Sequence, residues 1–119
     1  MTDLKPTSDV VSAARQDGST VVVAVRGEID LHNSPGLRTD LLDFLAKASP
    51  KKLILNLADV PYMDSSAIAV LVEALQKIRK LQGKIFLTNL QPRVKGLLEI
   101  ARLDSIFSVV PTEDEALAK

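Results

Sequence analysis

The 119-residue chain has no cysteine, a single histidine, five glycines and no excess of either charge. Without cysteine there are no disulfide staples, thiolate metal ligands or thiol nucleophiles, a composition compatible with a reducing compartment. Glycine occurs only at Gly18, Gly27, Gly36, Gly83 and Gly96. Neither a GxxxxGKS/T phosphate loop nor a GxGxxG dinucleotide fingerprint can be written from these, so no nucleotide cofactor is expected, and nothing in the composition suggests a metal centre. Fifteen basic and fifteen acidic side chains cancel, which removes any bulk electrostatic preference for nucleic acid or an anionic membrane. No apolar run approaches the ~18 residues of a membrane span, and Met1-Thr2-Asp3-Leu4-Lys5-Pro6 lacks the apolar core of a signal peptide. The expected location is the cytoplasm, without membrane insertion.

What is present describes a folded domain. Hydrophobic residues make up 46% and charged residues 25%, enough apolar content for a core and too much for a disordered chain. The length fits one domain over residues 1–119. Residues 1–7 hold Pro6 and no periodicity and are expected to be a frayed end. Val10 and Val11 open a strand through Arg15, and Asp17-Gly18 supplies hairpin turn chemistry. Thr20-Val21-Val22-Val23-Ala24-Val25 then returns as a β-branched strand suited to the sheet interior. Ser34-Pro35 predicts an N-cap and first helical position, followed by Leu37, Leu41, Phe44, Leu45 and Ala48 at helical spacing until Ser49-Pro50.

Leu53-Ile54-Leu55-Asn56-Leu57 is apolar on both faces, as a strand covered from two sides must be. A helix from Asp64 to Gly83 aligns Ile68, Leu71, Leu75 and Ile78; Gly83 is its expected left-handed terminus, and Met63 can staple onto Ile68. Lys84 to Thr88 is a further strand, Gln91-Pro92 begins a third helix, and 106–110 forms a last short strand. Thr112 with Glu115 then opens a terminal helix over 113–118. Helices alternating with strands after a hairpin predict an α/β fold, a mixed, mostly parallel sheet of about four to five strands packed with about four helices.

The chemistry concentrates in Val60-Pro61-Tyr62-Met63-Asp64-Ser65-Ser66-Ala67, where a strand gives way to a helix. The side-chain oxygens of Asp64, Ser65 and Ser66 can each satisfy an orphan N–H at a helix start, worth about 1 kcal/mol. Residue chemistry alone leaves open which is the cap and which is free. Glu28 and Asp30 are loop solvation or turn formation, and Tyr62 is core lining or an exposed contact. A serine hydrolase is disfavoured: residues 63–67 lack the glycines of a GxSxG elbow, and a Ser-His-Asp triad would need His32 to reach a serine on another loop.

Together, Gly27-Glu28-Ile29-Asp30 after a valine-rich strand, Leu55-Asn56-Leu57-Ala58-Asp59-Val60 and Tyr62-Met63-Asp64-Ser65-Ser66 resemble the STAS family of anti-sigma factor antagonists. The similarity continues through Lys84-Ile85-Phe86-Leu87, Pro92-Arg93-Val94 and the stretch from Thr112 to Leu117, and the combination carries the specificity. The resemblance implies a STAS fold and a regulator with no catalysis or cofactor of its own. It implies that Ser65, directly after the aspartate, is phosphorylated by a serine kinase that doubles as an anti-sigma factor, with Ser66 as the competing acceptor.

In that scheme the unphosphorylated protein binds the kinase and frees a sigma factor, the phosphoprotein lets go, and a PPM-type phosphatase resets it. Glu28, Asp30, Tyr62, Asp64, Ser66 and Ala67 would line the partner contact. Many members carry glycine where this chain has Ala67, which adds helix propensity of up to ~1 kcal/mol and puts a methyl where a kinase backbone would approach. Members that are not phosphorylated, in stress-sensing complexes and transporter-associated modules, give the alternative of a passive scaffold or ligand-binding module.

Overall fold

The computed structural model describes residues 1–119. Six strands, β1 (Thr2–Asp3), β2 (Val11–Asp17), β3 (Thr20–Arg26), β4 (Lys52–Asp59), β5 (Lys84–Thr88) and β6 (Ser108–Val110), form one sheet in sequential order. The β1–β2 and β2–β3 pairings are antiparallel, whereas the pairings from β3 to β6 are parallel. The parallel pairs are bridged by α1 (Ser34–Ala48), α2 (Ser65–Lys80) and α3 (Pro92–Ile100), and α4 (Glu113–Ala118) ends the chain. The mixed sheet is the one the alternation predicts, with a sixth strand beyond the expected count. At the β2–β3 hairpin Gly18 takes φ +60 at the first position of a two-residue loop between the paired Asp17 and Thr20, a conformation that favours glycine.

Sequential strand order with right-handed crossovers places α1, α2 and α3 on one face of the sheet. Alternation along the strands sends Val21, Val23, Leu53, Leu55, Ile85 and Leu87 to that face, where they join Leu37, Leu41, Leu71, Ile78, Val94 and Leu98 in one continuous core. Val22, Ile54 and Phe86 point to the opposite face and meet Ala116 of α4. This accounts for β4 being apolar on both sides. As expected, α4 is opened by Thr112, whose Oγ1 accepts from the Glu115 N–H at 3.2 Å.

Residues 1–7 are ordered rather than frayed. Thr2 and Asp3 pair with Gln16 and Arg15, and the Leu4 N–H donates to the Ala14 carbonyl at 2.9 Å. The anchor lies far along the chain: Asp40 of α1, only 2% exposed. Its Oδ1 accepts from the Thr7 N–H and hydroxyl at 2.8 and 2.7 Å, and its Oδ2 from the Ser8 N–H and hydroxyl at 3.0 and 2.8 Å. Gly36 permits this docking, since a Cβ there would lie 2.8 Å from the Ser8 Cβ.

Two helix ends also differ from the reading above. Ser34 is the first residue of α1 rather than its cap; Asn33 stands at the N-cap without a capping bond, because its side chain is engaged in the preceding loop. Gly83 is not the left-handed residue after α2: Gln82 takes that role with φ 59. Glycine is required at 83 for a close approach, because a Cβ would lie 2.8 Å from the Lys51 carbonyl oxygen and 3.0 Å from Ile78 Cγ1. Backbone cannot yield there as a flexible side chain would. Gly83→Ala is therefore expected to cost about 1–3 kcal/mol, read as a lowered midpoint in a denaturant melt; an unchanged midpoint would show that the strand gives way freely.

Candidate functional site

The candidate site forms at the C-terminal ends of β3 and β4, the edge where open α/β sheets present their binding residues. Gly27, with φ +82, turns the chain out of β3 while its N–H donates to the Asp59 carbonyl at 2.8 Å. Beyond it, Ile29 and Met63 form a parallel bridge, with the Ile29 N–H on the Tyr62 carbonyl at 3.1 Å and the Asp64 N–H on the Ile29 carbonyl at 3.0 Å. Both side chains are buried. This clamp brings the 28–33 loop beside the start of α2 and gathers Glu28, Asp30, Tyr62, Asp64, Ser65 and Ser66 on adjoining segments.

The loop is held from within. Asp30 Oδ1 accepts from the His32 and Asn33 N–H groups at 2.9 and 3.2 Å, Asn33 Oδ1 accepts from the Asp30 N–H at 2.8 Å, and Asn33 Nδ2 donates to the Glu28 carbonyl at 2.8 Å. Small polar side chains bonding nearby backbone is the usual way such turns are fixed. Between Asp30 and His32, Leu31 is left 76% exposed. Sequence reasoning missed Leu31; the signal was an apolar residue between the polar Asp30 and His32.

Asp64 is the N-cap of α2. Its Oδ1 accepts from the Ser66 and Ala67 N–H groups at 2.9 and 3.3 Å and from the Ser66 hydroxyl in a short hydrogen bond. The Ser66 hydroxyl is the main reason that the carboxyl titrates below its ordinary range; burial opposes it, and the N–H groups of Ala67, Ser66 and Leu31 reinforce it. Ser65, at the first helical position, is exposed and outside this cap. The serine pair is thus divided, with one hydroxyl tied to the cap and the other facing solvent.

Ala67 is fully buried and belongs to the core. Its methyl points inward, so the expectation of a partner contact at Ala67 is corrected: it offers no surface, and replacing glycine there does not crowd an approaching backbone. Tyr62 is half-buried, with the Arg93 guanidinium 4.7 Å from its ring centroid, a cation–π contact that brings a basic group from α3 to this edge. A hydrolytic triad is not assembled. Asp30 engages backbone N–H groups and Asp64 its cap, whereas a triad needs a carboxylate to orient the imidazole. No group of three or more His, Asp or Glu side chains converges as metal ligands would, and no helix is long and apolar enough to cross a membrane.

The STAS domain model matches residues 12–116. The chain belongs to the STAS family. Among its relatives, the anti-sigma-B factor antagonist of Bacillus subtilis is 30% identical over 95 residues, covering 80% of this chain and 85% of that protein. B. subtilis YvdB, which bears the name of a sulfate transporter, is 38% identical over 88 residues, covering 74% of this STAS chain but only 16% of YvdB. The crystal structure of an anti-sigma factor antagonist from Mycobacterium paratuberculosis superposes with a TM-score of 0.82 at 26% identity, covering 96% of this chain and 97% of that one.

Proposed function

We propose that this STAS chain is a cytoplasmic anti-sigma factor antagonist whose binding to a serine kinase/anti-sigma factor is ended by phosphorylation of Ser65. The names of its full-length relatives support the general role. The observation that carries the choice of residue is the division of the serine pair: Ser66 donates its hydroxyl to Asp64, while Ser65 is exposed at the helix start. In the kinase, Ser65 Oγ would attack the γ-phosphorus of ATP as the bond to ADP breaks and the hydroxyl proton passes to a kinase base. A PPM-type phosphatase would hydrolyse the Oγ–P bond and restore the binding form. Leu31 at the loop tip would supply an apolar anchor beside Glu28, Asp30 and Tyr62, the arrangement in which a few residues carry most of an interface's energy.

Site-resolved mass spectrometry after incubation with the cognate kinase, ATP and Mg²⁺ tests the assignment. Wild type and Ser66→Ala should gain one phosphoryl group on Ser65, and Ser65→Ala should gain none. Phosphate on Ser66, or uptake by wild type without a kinase, would overturn it. A second reading, a module whose partner binding ignores ATP, is favoured by the similarity to one segment of YvdB; it predicts no phosphoryl transfer to either serine.

A further inference from the structure

The opposite end of the sheet carries an arrangement that the Ser65 site does not use. The N-terminal ends of β4 and β5 and the turn after α2 frame a cavity of about 490 Å³, within the size range of small-ligand sites. Lys51, Lys52, Lys84 and Lys119 line it together with Gln82 and Ser108, and no carboxylate side chain does. Glu28, Asp30, Asp59 and Asp64 stand at the other end of the strands, beside Arg26 and Arg93.

Two of the ammonium groups are held in place. Lys51 Nζ donates to the Leu81 carbonyl at 2.6 Å, beyond the last turn of α2. Lys52 Nζ donates to the Ala116 and Leu117 carbonyls at 2.9 and 3.2 Å and lies 5.6 Å from the Phe86 ring centroid. An ammonium has three donors, so these bonds leave two on Lys51 and one on Lys52. The three salt bridges of the chain, Arg15–Glu113, Arg38–Glu73 and Lys47–Asp43, involve none of the four lysines. Like charges around a common concavity repel one another and raise the local concentration of anions.

We propose that this cavity binds a compact oligophosphate, an anion with two or more linked phosphoryl groups. Ammonium groups recognise phosphoryl oxygens as point charges, and several of them facing one space favour a multiply charged ligand over a single carboxylate. Such a site needs no glycine-rich loop, because side-chain ammonium groups replace the backbone N–H cradle. It is independent of the Ser65 reading.

Inorganic tripolyphosphate titrated into the full chain, followed by amide NMR, tests the proposal. Shifts should saturate at one ligand per chain and fall on Lys51, Lys52, Gln82, Lys84 and Ser108, with Ser65 and Ala67 unmoved. The double variant Lys51→Gln/Lys84→Gln, its fold checked in the same spectra, should bind about tenfold more weakly, whereas Lys47→Gln/Lys95→Gln should bind as wild type does. Non-saturating shifts spread over many surface lysines, or equal weakening in both variants, would show that these lysines only complement helix carbonyls and would overturn the proposal. Saturable binding to phosphatidylglycerol vesicles without saturable tripolyphosphate binding would overturn it in favour of a membrane surface.

Discussion

Asp40→Ala is expected to lower stability by about 2–4 kcal/mol and to release residues 1–8 from α1. The carboxylate accepts four hydrogen bonds from two consecutive residues, and hydrogen bonds to a charged acceptor are stronger than neutral ones. The sum is limited because Thr7 is exposed and Ser8 half-buried, so water replaces part of what is lost. Burial pushes the Asp40 carboxyl up, but the N–H and hydroxyl groups of Thr7 and Ser8 outweigh it and hold the group below its ordinary range. A depressed folded-state pKa contributes stability that is present above the unfolded value, about 3.9, and is lost as pH falls through the folded one. Wild type should therefore lose this increment in acid, and Asp40→Ala should show a flatter acid limb. Urea melts at neutral and acidic pH, with hydrogen exchange at the Leu4 amide, check both points. A variant as stable as wild type, with Leu4 still protected, would contradict the role given to Asp40.

Phosphorylation of Ser65 is expected to weaken partner binding roughly hundredfold while leaving the fold unchanged. A phosphoserine adds about −1.5 to −2 charges. Asp64, kept ionised by its capping bonds, repels it. The N–H groups and positive end of α2 favour it by ~0.3–1 kcal/mol, up to ~2 when partly buried. Within the chain these opposing effects are of similar size, and both are small against a typical domain stability of ~5–15 kcal/mol. In an interface, a dianion without a cationic mate costs several kcal/mol, and each ~1.4 kcal/mol is tenfold in affinity. Affinity measurements and thermal melts on purified phosphoprotein separate the two. A large loss of thermal stability would locate the effect in the fold instead.

The sequence was most legible where apolar periodicity is long. The valine-rich β3, the doubly covered β4 and the α1 and α2 stripes follow from side-chain spacing, and the 113–118 helix from the Thr112–Glu115 capping pair. β1 was not legible, because a two-residue strand has no period and its anchor, Asp40, lies more than thirty residues away. Gly83 was misread for a related reason: its left-handed propensity is a local property, while its requirement comes from the Lys51 carbonyl across the sheet. At the site, residue type marked Asp64, Ser65 and Ser66 as candidate caps without choosing among them, and the structure assigns the cap to Asp64. The tie between Ser66 and Asp64, the burial of Ala67 and the exposure of Leu31 were not legible, since each depends on how the Ile29–Met63 bridge sets one segment against the other. The resemblance supplied what periodicity could not, the proposal that the serine directly after Asp64 is a phosphoacceptor.

The most direct test is retention on the immobilised cognate kinase before and after addition of ATP and Mg²⁺, comparing wild type with Ser65→Ala. The Ser65 switch predicts that both bind at first, that ATP releases wild type, and that Ser65→Ala stays bound. Equal dissociation of the two proteins under ATP would contradict it.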